Sequence, residues 1–187
     1  MEEFCKVYRD IYIDELNQFR KLISDELYTN LANKVNCIIA KSEQDFYEIC
    51  KSFDEAEIAV QRQNLEYIMG INQLMLYRFL SAFYQVIYSI WELQVAYYSG
   101  MKIEQHYNER ITEFGLLVNV LKHGKYPPRG RAEGSYDKLK EKKSNYLQKS
   151  EKFKNIIPEI YGGEILNLSI DDLLELCDEI ICIWSNM

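Results

Sequence analysis

Residues that break helices are scarce over most of this chain. No proline occurs before Pro127, and Gly70 is the only glycine before Gly100. Proline removes a helix donor and clashes with the preceding turn, and an interior glycine costs about 1 kcal/mol relative to alanine. A stretch free of both can therefore run as a very long helix. With only 8 Gly and 3 Pro in 187 residues, the turn-rich β-sandwiches and barrels are excluded. The expected class is all-α. A content of 48% hydrophobic and 27% charged residues also excludes a disordered acidic tail.

Apolar spacing and capping signals divide the chain into helices. Val7, Ile11, Leu16, Phe19, Leu22, Ile23 and Leu27 recur every three or four residues, which predicts a helix over 2–28. Asn30 marks a break, and a second helix follows through Val35, Ile39 and Phe46. Ser52-x-x-Glu55 has the form of a capping box and opens a third helix over 54–99, bent near Gly70 and stopped by Gly100. A fourth helix spans 103–123 and ends at Gly124. After the Gly- and Pro-rich stretch 124–134, a charged fifth helix spans 135–149. Ser169-x-x-Asp172 caps a last helix through Trp184. No strand is expected, and the segment 164–168 is the one candidate for a short extended piece.

The run Leu74–Tyr98 has membrane-spanning length but contains Arg78 and Glu92. Each charge costs about 2.5–3.5 kcal/mol at bilayer depth, so the run is read as the central helix of a water-soluble bundle, with no membrane partner. Five scattered cysteines without a C-x-x-C pair, and only two histidines, point away from zinc. No metal or other cofactor is expected. Odd, unpaired thiols behind an acidic N-terminus fit a cytoplasmic protein.

Charge is unevenly spread. Residues 122–154 carry a net +7, which leaves −14 for the rest of the chain. Such a segment attracts polyanions that the body repels, although a solvated helix and loop would look the same. Asn119 and His123 lie four apart and share a helix face, with Lys122 beside them. A histidine at a helix C-terminus is favoured in its protonated form and can serve as general acid or base, or can merely cap the last carbonyls. Arg78, Gln85 and Glu92 are spaced by seven and form one polar line on the third helix. That line pairs internally, pairs with a neighbouring helix, or orients His123.

Leu74 to Glu92, Asn119-Val-Leu-Lys-His-Gly124 with Ser135 to Leu139, and Leu168-Ser-Ile-Asp-Asp172 leading to Trp184 together resemble the HEPN-type helical domains. The resemblance covers 54–187 and leaves 1–53 as an N-terminal helical extension. It implies an up-and-down bundle that forms a homodimer. Many members are metal-independent ribonucleases of toxin–antitoxin or phage-defence systems, with an Arg-x4–6-His motif at the dimer interface. His123 matches the motif histidine. The arginine does not carry over, because Leu116, Leu117 and Val118 stand where it would be.

Three readings follow. In a HEPN-like endoribonuclease, His123, Asn119 and Lys122 would be catalytic, and Lys125, Arg129 and Arg131 would bind RNA. Cleavage would leave a 2′,3′-cyclic phosphate. In a non-catalytic HEPN-like module, the chain would bind RNA or a protein partner such as an antitoxin. In a structural bundle, it would oligomerise through the third helix.

Overall fold

The computed structural model describes residues 2–97, 109–124, 134–148, 153 and 166–186. Among them the regular structure is helical throughout: α1 (Glu2–Lys21), α2 (Thr29–Cys50), α3 (Glu55–Tyr97), α4 (Glu109–His123), α5 (Ser135–Glu141) and α6 (Ile170–Ser185), with a 3₁₀ turn at Asn145–Leu147. None of these helices is long and apolar enough to cross a membrane.

The break expected at Asn30 is not there. α1 passes into α2 through a π-helical turn, Leu22–Tyr28, so the helix widens and continues. The Thr29 hydroxyl donates to the Ser24 carbonyl five residues back at 2.7 Å, and the Ser24 hydroxyl donates to Asp25 at 2.7 Å. A chain without Gly or Pro at this point absorbs a polar cluster by gaining a residue in one turn.

The reversal between α2 and α3 is also shifted. Asp54, not Ser52, begins the capping box: its carboxylate accepts from the Glu57 N–H at 2.9 Å, and Glu57 accepts from the Asp54 N–H at 3.1 Å. The Ser52 hydroxyl donates back to the Ile49 carbonyl instead. At the other end of the chain, the Ser169 hydroxyl accepts from the Asp172 N–H at 3.1 Å and caps α6 as expected. The fifth helix is shorter than the spacing predicted. It stops at Glu141, Lys143 takes a left-handed φ of 53°, and Ser144 caps the following 3₁₀ turn. Residues 166–169 are irregular, linked to that turn by the Asn167 N–H bonding the Tyr146 carbonyl at 2.7 Å.

Side-chain contacts give the directions. α1 continues into α2, which folds back on α3, so α1 runs antiparallel to α3 and its Phe19 meets Phe83 at 5.8 Å between ring centroids. Arg20 grips Asp178 with two nitrogens, at 2.7 and 2.9 Å. Ser24 and Tyr28 line one cavity with Ile170 and Leu174, which sets α6 antiparallel to the first helix. Along α3, Tyr84 touches Asp172 and Trp91 stacks edge-on against Trp184 at 6.0 Å. Tyr88 packs on Phe114 at 5.2 Å, and Glu92 meets Lys122 at 3.7 Å. Both ladders climb in register, so α3, α4 and α6 point the same way. The step from α3 to α4 is therefore a crossover, not the simple reversal of an up-and-down bundle.

Leu16 and Ile23 are fully buried in the same core as Leu80, Tyr84, Ile87, Trp91, Phe114, Leu117, Leu176 and Trp184. Residues 1–53 thus do not stand apart as an extension: α1 is a wall of the core, and residue 53 is not a boundary. Only the outer half of the hairpin, α2 with the first turns of α3, projects beyond it. There Val35 is the one buried residue of α2.

Candidate functional site

Two clusters of polar side chains occupy opposite ends of α4. The C-terminal end carries the residues singled out from the sequence. Asn119 and His123 are half-buried on one face, and the Gly124 N–H closes the helix on the Val120 carbonyl at 2.7 Å, with φ 74°. The Lys122 ammonium lies 3.7 Å from a Glu92 carboxylate oxygen and 5.8 Å from the centre of the Tyr88 ring. Tyr88 reaches this position across Gly115. A Cβ at Gly115 would stand 2.6 Å from the Tyr88 hydroxyl oxygen, so the glycine is what lets α3 and α4 approach so closely.

Of the expected polar line, only Glu92 is shown meeting α4. The Gln85 amide donates to Ser81 within its own helix at 3.2 Å, and the Ser89 hydroxyl donates to the Gln85 carbonyl at 2.8 Å. Arg78 is exposed and lies fourteen positions before Glu92, about 21 Å along the axis. Lys125, Arg129 and Arg131 lie outside the described residues. The one basic side chain of the α5 region shown against α4 is not beside His123. Lys142, just past the end of α5, bonds Glu109 at 3.0 Å, which pins that end to the start of α4, about 21 Å from the imidazole.

The N-terminal end of α4 holds a cluster that sequence reasoning missed. Arg110 reaches Asp172 at 2.9 Å, Glu175 at 3.0 Å and Glu179 at 3.6 Å. The second Asp172 oxygen accepts from the Tyr146 hydroxyl at 2.7 Å and the Tyr84 hydroxyl at 2.9 Å. Tyr84 is also 3.0 Å from the Ser169 carbonyl. Burial first, and then the neighbouring Asp172 charge, push both tyrosines well above the ordinary phenol range. Burial opposes the Arg110 charge, but the hydrogen bonds to Glu175 and Asp172 more than restore it, and its pKa is raised.

Arg110, Tyr146, Ser169, Asp172 and Glu175 border a cavity of about 290 Å³ that also takes in Glu113 and Asn145. One guanidinium faces several carboxylates there, so the cavity is acidic and repels phosphate. Asp172 already accepts from three groups and has little capacity left to act as a base. The chemistry is that of a clamp joining α3, α4, α6 and the 3₁₀ turn. Its signals in the sequence were faint. Ser169-x-x-Asp172 is legible as a cap, but nothing in the spacing says that the cap's carboxylate also receives an arginine 62 residues earlier. A tyrosine on an otherwise apolar helix face, such as Tyr84, does imply a buried partner for its hydroxyl.

Among the described residues, no group of three or more His, Cys, Asp or Glu side chains is placed to hold a metal ion. Compared with family models, with curated proteins and with solved structures, the chain matches none.

Proposed function

We propose that this chain is a helical module that binds RNA through its basic segment and does not cut it. The pairing of Lys122 with Glu92 carries the reading. Phosphodiester cleavage by an imidazole needs a cation aimed at the charge that develops on phosphorus. The lysine beside His123 faces a carboxylate and a tyrosine ring instead. The positions where a motif arginine would stand hold Leu116, Leu117 and Val118, the last two fully buried. Arg110, on the same helix, is engaged by three carboxylates at its far end. Binding asks less of the surface. Lys138, Lys140 and Lys143 are exposed within a segment of net +7, on a body whose negative charge confines a polyanion to that side.

The test is a mixed RNA pool incubated with the wild type and with His123→Ala. The expected result is intact RNA with both proteins. Binding should weaken steeply with salt, with a slope that falls in Lys138→Ala/Lys140→Ala/Lys143→Ala. Chelator-insensitive cleavage that leaves 2′,3′-cyclic phosphates and vanishes in His123→Ala would overturn the non-cutting reading in favour of a ribonuclease. Absence of salt-dependent binding would overturn the RNA reading altogether.

A further inference from the structure

Among the described residues, the hairpin that α3 forms with α1 and α2 is covered on one side only. α4 and α6 pack against α3 through Leu80, Tyr84, Ile87, Tyr88 and Trp91. On another face of α3, Ile68, Met75, Val86 and Leu93 are 40, 53, 43 and 68% exposed. Their positions differ by seven, eleven and seven. Eighteen residues make five full turns, so Ile68 and Val86 share one azimuth, and Met75 and Leu93 share another only about 20° away. The four form a straight apolar stripe about 37 Å long. In α2, Ile38 is 47% exposed, and helix geometry sets it on the same side of the antiparallel hairpin, level with Ile68.

The spacing of the stripe reads the same in both directions. A two-fold axis crossing α3 between residues 80 and 81 places Ile68 opposite Leu93 of a second copy, and Met75 opposite Val86. Every apolar residue of the stripe then meets another, which is what an isologous interface requires. Because Phe19 fixes the level of the first helix at Phe83, the same axis passes near Leu22, itself 41% exposed. The size also fits. Two helices, each about 10 Å wide, over about 37 Å give a face of roughly 700 Å² per protomer, close to the 800 Å² a side of a standard stable interface.

We infer that the chain is an antiparallel homodimer joined through the bare face of this hairpin, with α3 stacked on α3 of the second copy. α4 packs on a different side of α3, so the two His123 rings lie apart, on the outer sides of the dimer. This rests on the stripe alone and stands whether or not the protein binds RNA.

Sedimentation equilibrium tests it. The wild type should be a dimer at micromolar concentration. Met75→Glu/Val86→Glu, which buries four carboxylates per dimer, should weaken association by roughly a hundred-fold or more, with helicity and melting cooperativity retained. Register is read by disulfide trapping in a background with the native cysteines replaced by serine or alanine. Ile68→Cys/Leu93→Cys should cross-link between copies, and each single variant should not. A wild-type monomer at 100 µM (roughly the scale of a weak interface), an unaffected dimer in the double glutamate variant, or cross-linking of the single variants instead of the pair would each overturn the proposal.

Discussion

The two halves of the helical hairpin share α3 but are held in different ways. Near its base, α1 and the later turns of α3 are enclosed by α4, α5 and α6, and whole aromatic side chains disappear from solvent: Tyr84, Trp91, Phe114 and Trp184. Toward its tip, beyond the first turn of α2, α2 and the first turns of α3 pack mainly on each other among the described residues. Tyr47, Val60 and Tyr67 there are half or more exposed. Helical periodicity is equally clear in both halves. A pattern that specifies a helix therefore does not specify what covers it, and the stability of the two halves should differ accordingly.

The largest expected difference is in the response to truncation. Trp91→Ala empties a fully buried site against Trp184 and should cost about 4 kcal/mol in urea unfolding. Tyr47→Ala, at the tip, should lie within about 0.5 kcal/mol of wild type. Equal losses at the two positions would mean that the tip is covered by something as closely packed as the base.

The clamp at the start of α4 is the next strongest support of the base. Asp172→Ala leaves the Tyr146 hydroxyl without its acceptor, the Tyr84 hydroxyl with only the Ser169 carbonyl, and Arg110 with two of its three carboxylates. The expected cost is about 3 kcal/mol. Asp172→Asn, which keeps an acceptor but not the charge, should lose roughly half as much.

A smaller effect is expected in the tip. Val35→Ala removes the buried side chain of α2 and should cost about 1.5 kcal/mol. Its signature should be local. Amide exchange should quicken across 29–70 while 77–91 stays protected, because the tip can open without disturbing the base. Uniform acceleration along α3 would show the two halves to be one cooperative unit.

Much of this division was legible in the sequence, for reasons that can be named. The absence of Pro and Gly left α3 no place to stop, and it runs to Tyr97 as the spacing predicts. Ser169 and Asp172 announced α6 because a cap is a local interaction. What the sequence concealed was non-local. Leu16 and Ile23 have the same periodicity as Ile38 and Ile49, yet the first pair is buried by α6 and α3 while the second is exposed. That contrast moved α1 from an extension into the core. The pairing of Lys122 with Glu92 across thirty positions is likewise invisible in the sequence, although each residue stands out there separately. Asn30 misled because polar residues near a break resemble polar residues in a widened turn. Only the hydroxyl of Thr29 reaching the Ser24 carbonyl distinguishes the two.

The subtlest contrast is in alkali. Tyr84 and Tyr146 in the base ionise well above the ordinary phenol value, because burial and then Asp172 disfavour the phenolate. Tyr77 is raised as well, by burial, and Cys177 is pushed up to about 12 by the same cause. In the unfolded chain the tyrosines release their protons near pH 10. Above that pH the native state holds more protons than the unfolded one, so stability, complete below it, falls as pH rises toward the native values. Each such tyrosine contributes a slope of about 1.4 kcal/mol per pH unit in this window. Tyr146→Phe should cost about 1 kcal/mol at neutral pH through its lost hydrogen bond, and should flatten the decline measured between pH 10 and 11 by up to the slope of one tyrosine. If the two urea midpoints converge as pH rises, the hydroxyl is held neutral by the clamp. If they fall in parallel, Tyr146 ionises as freely as it would in water and the clamp does not constrain it.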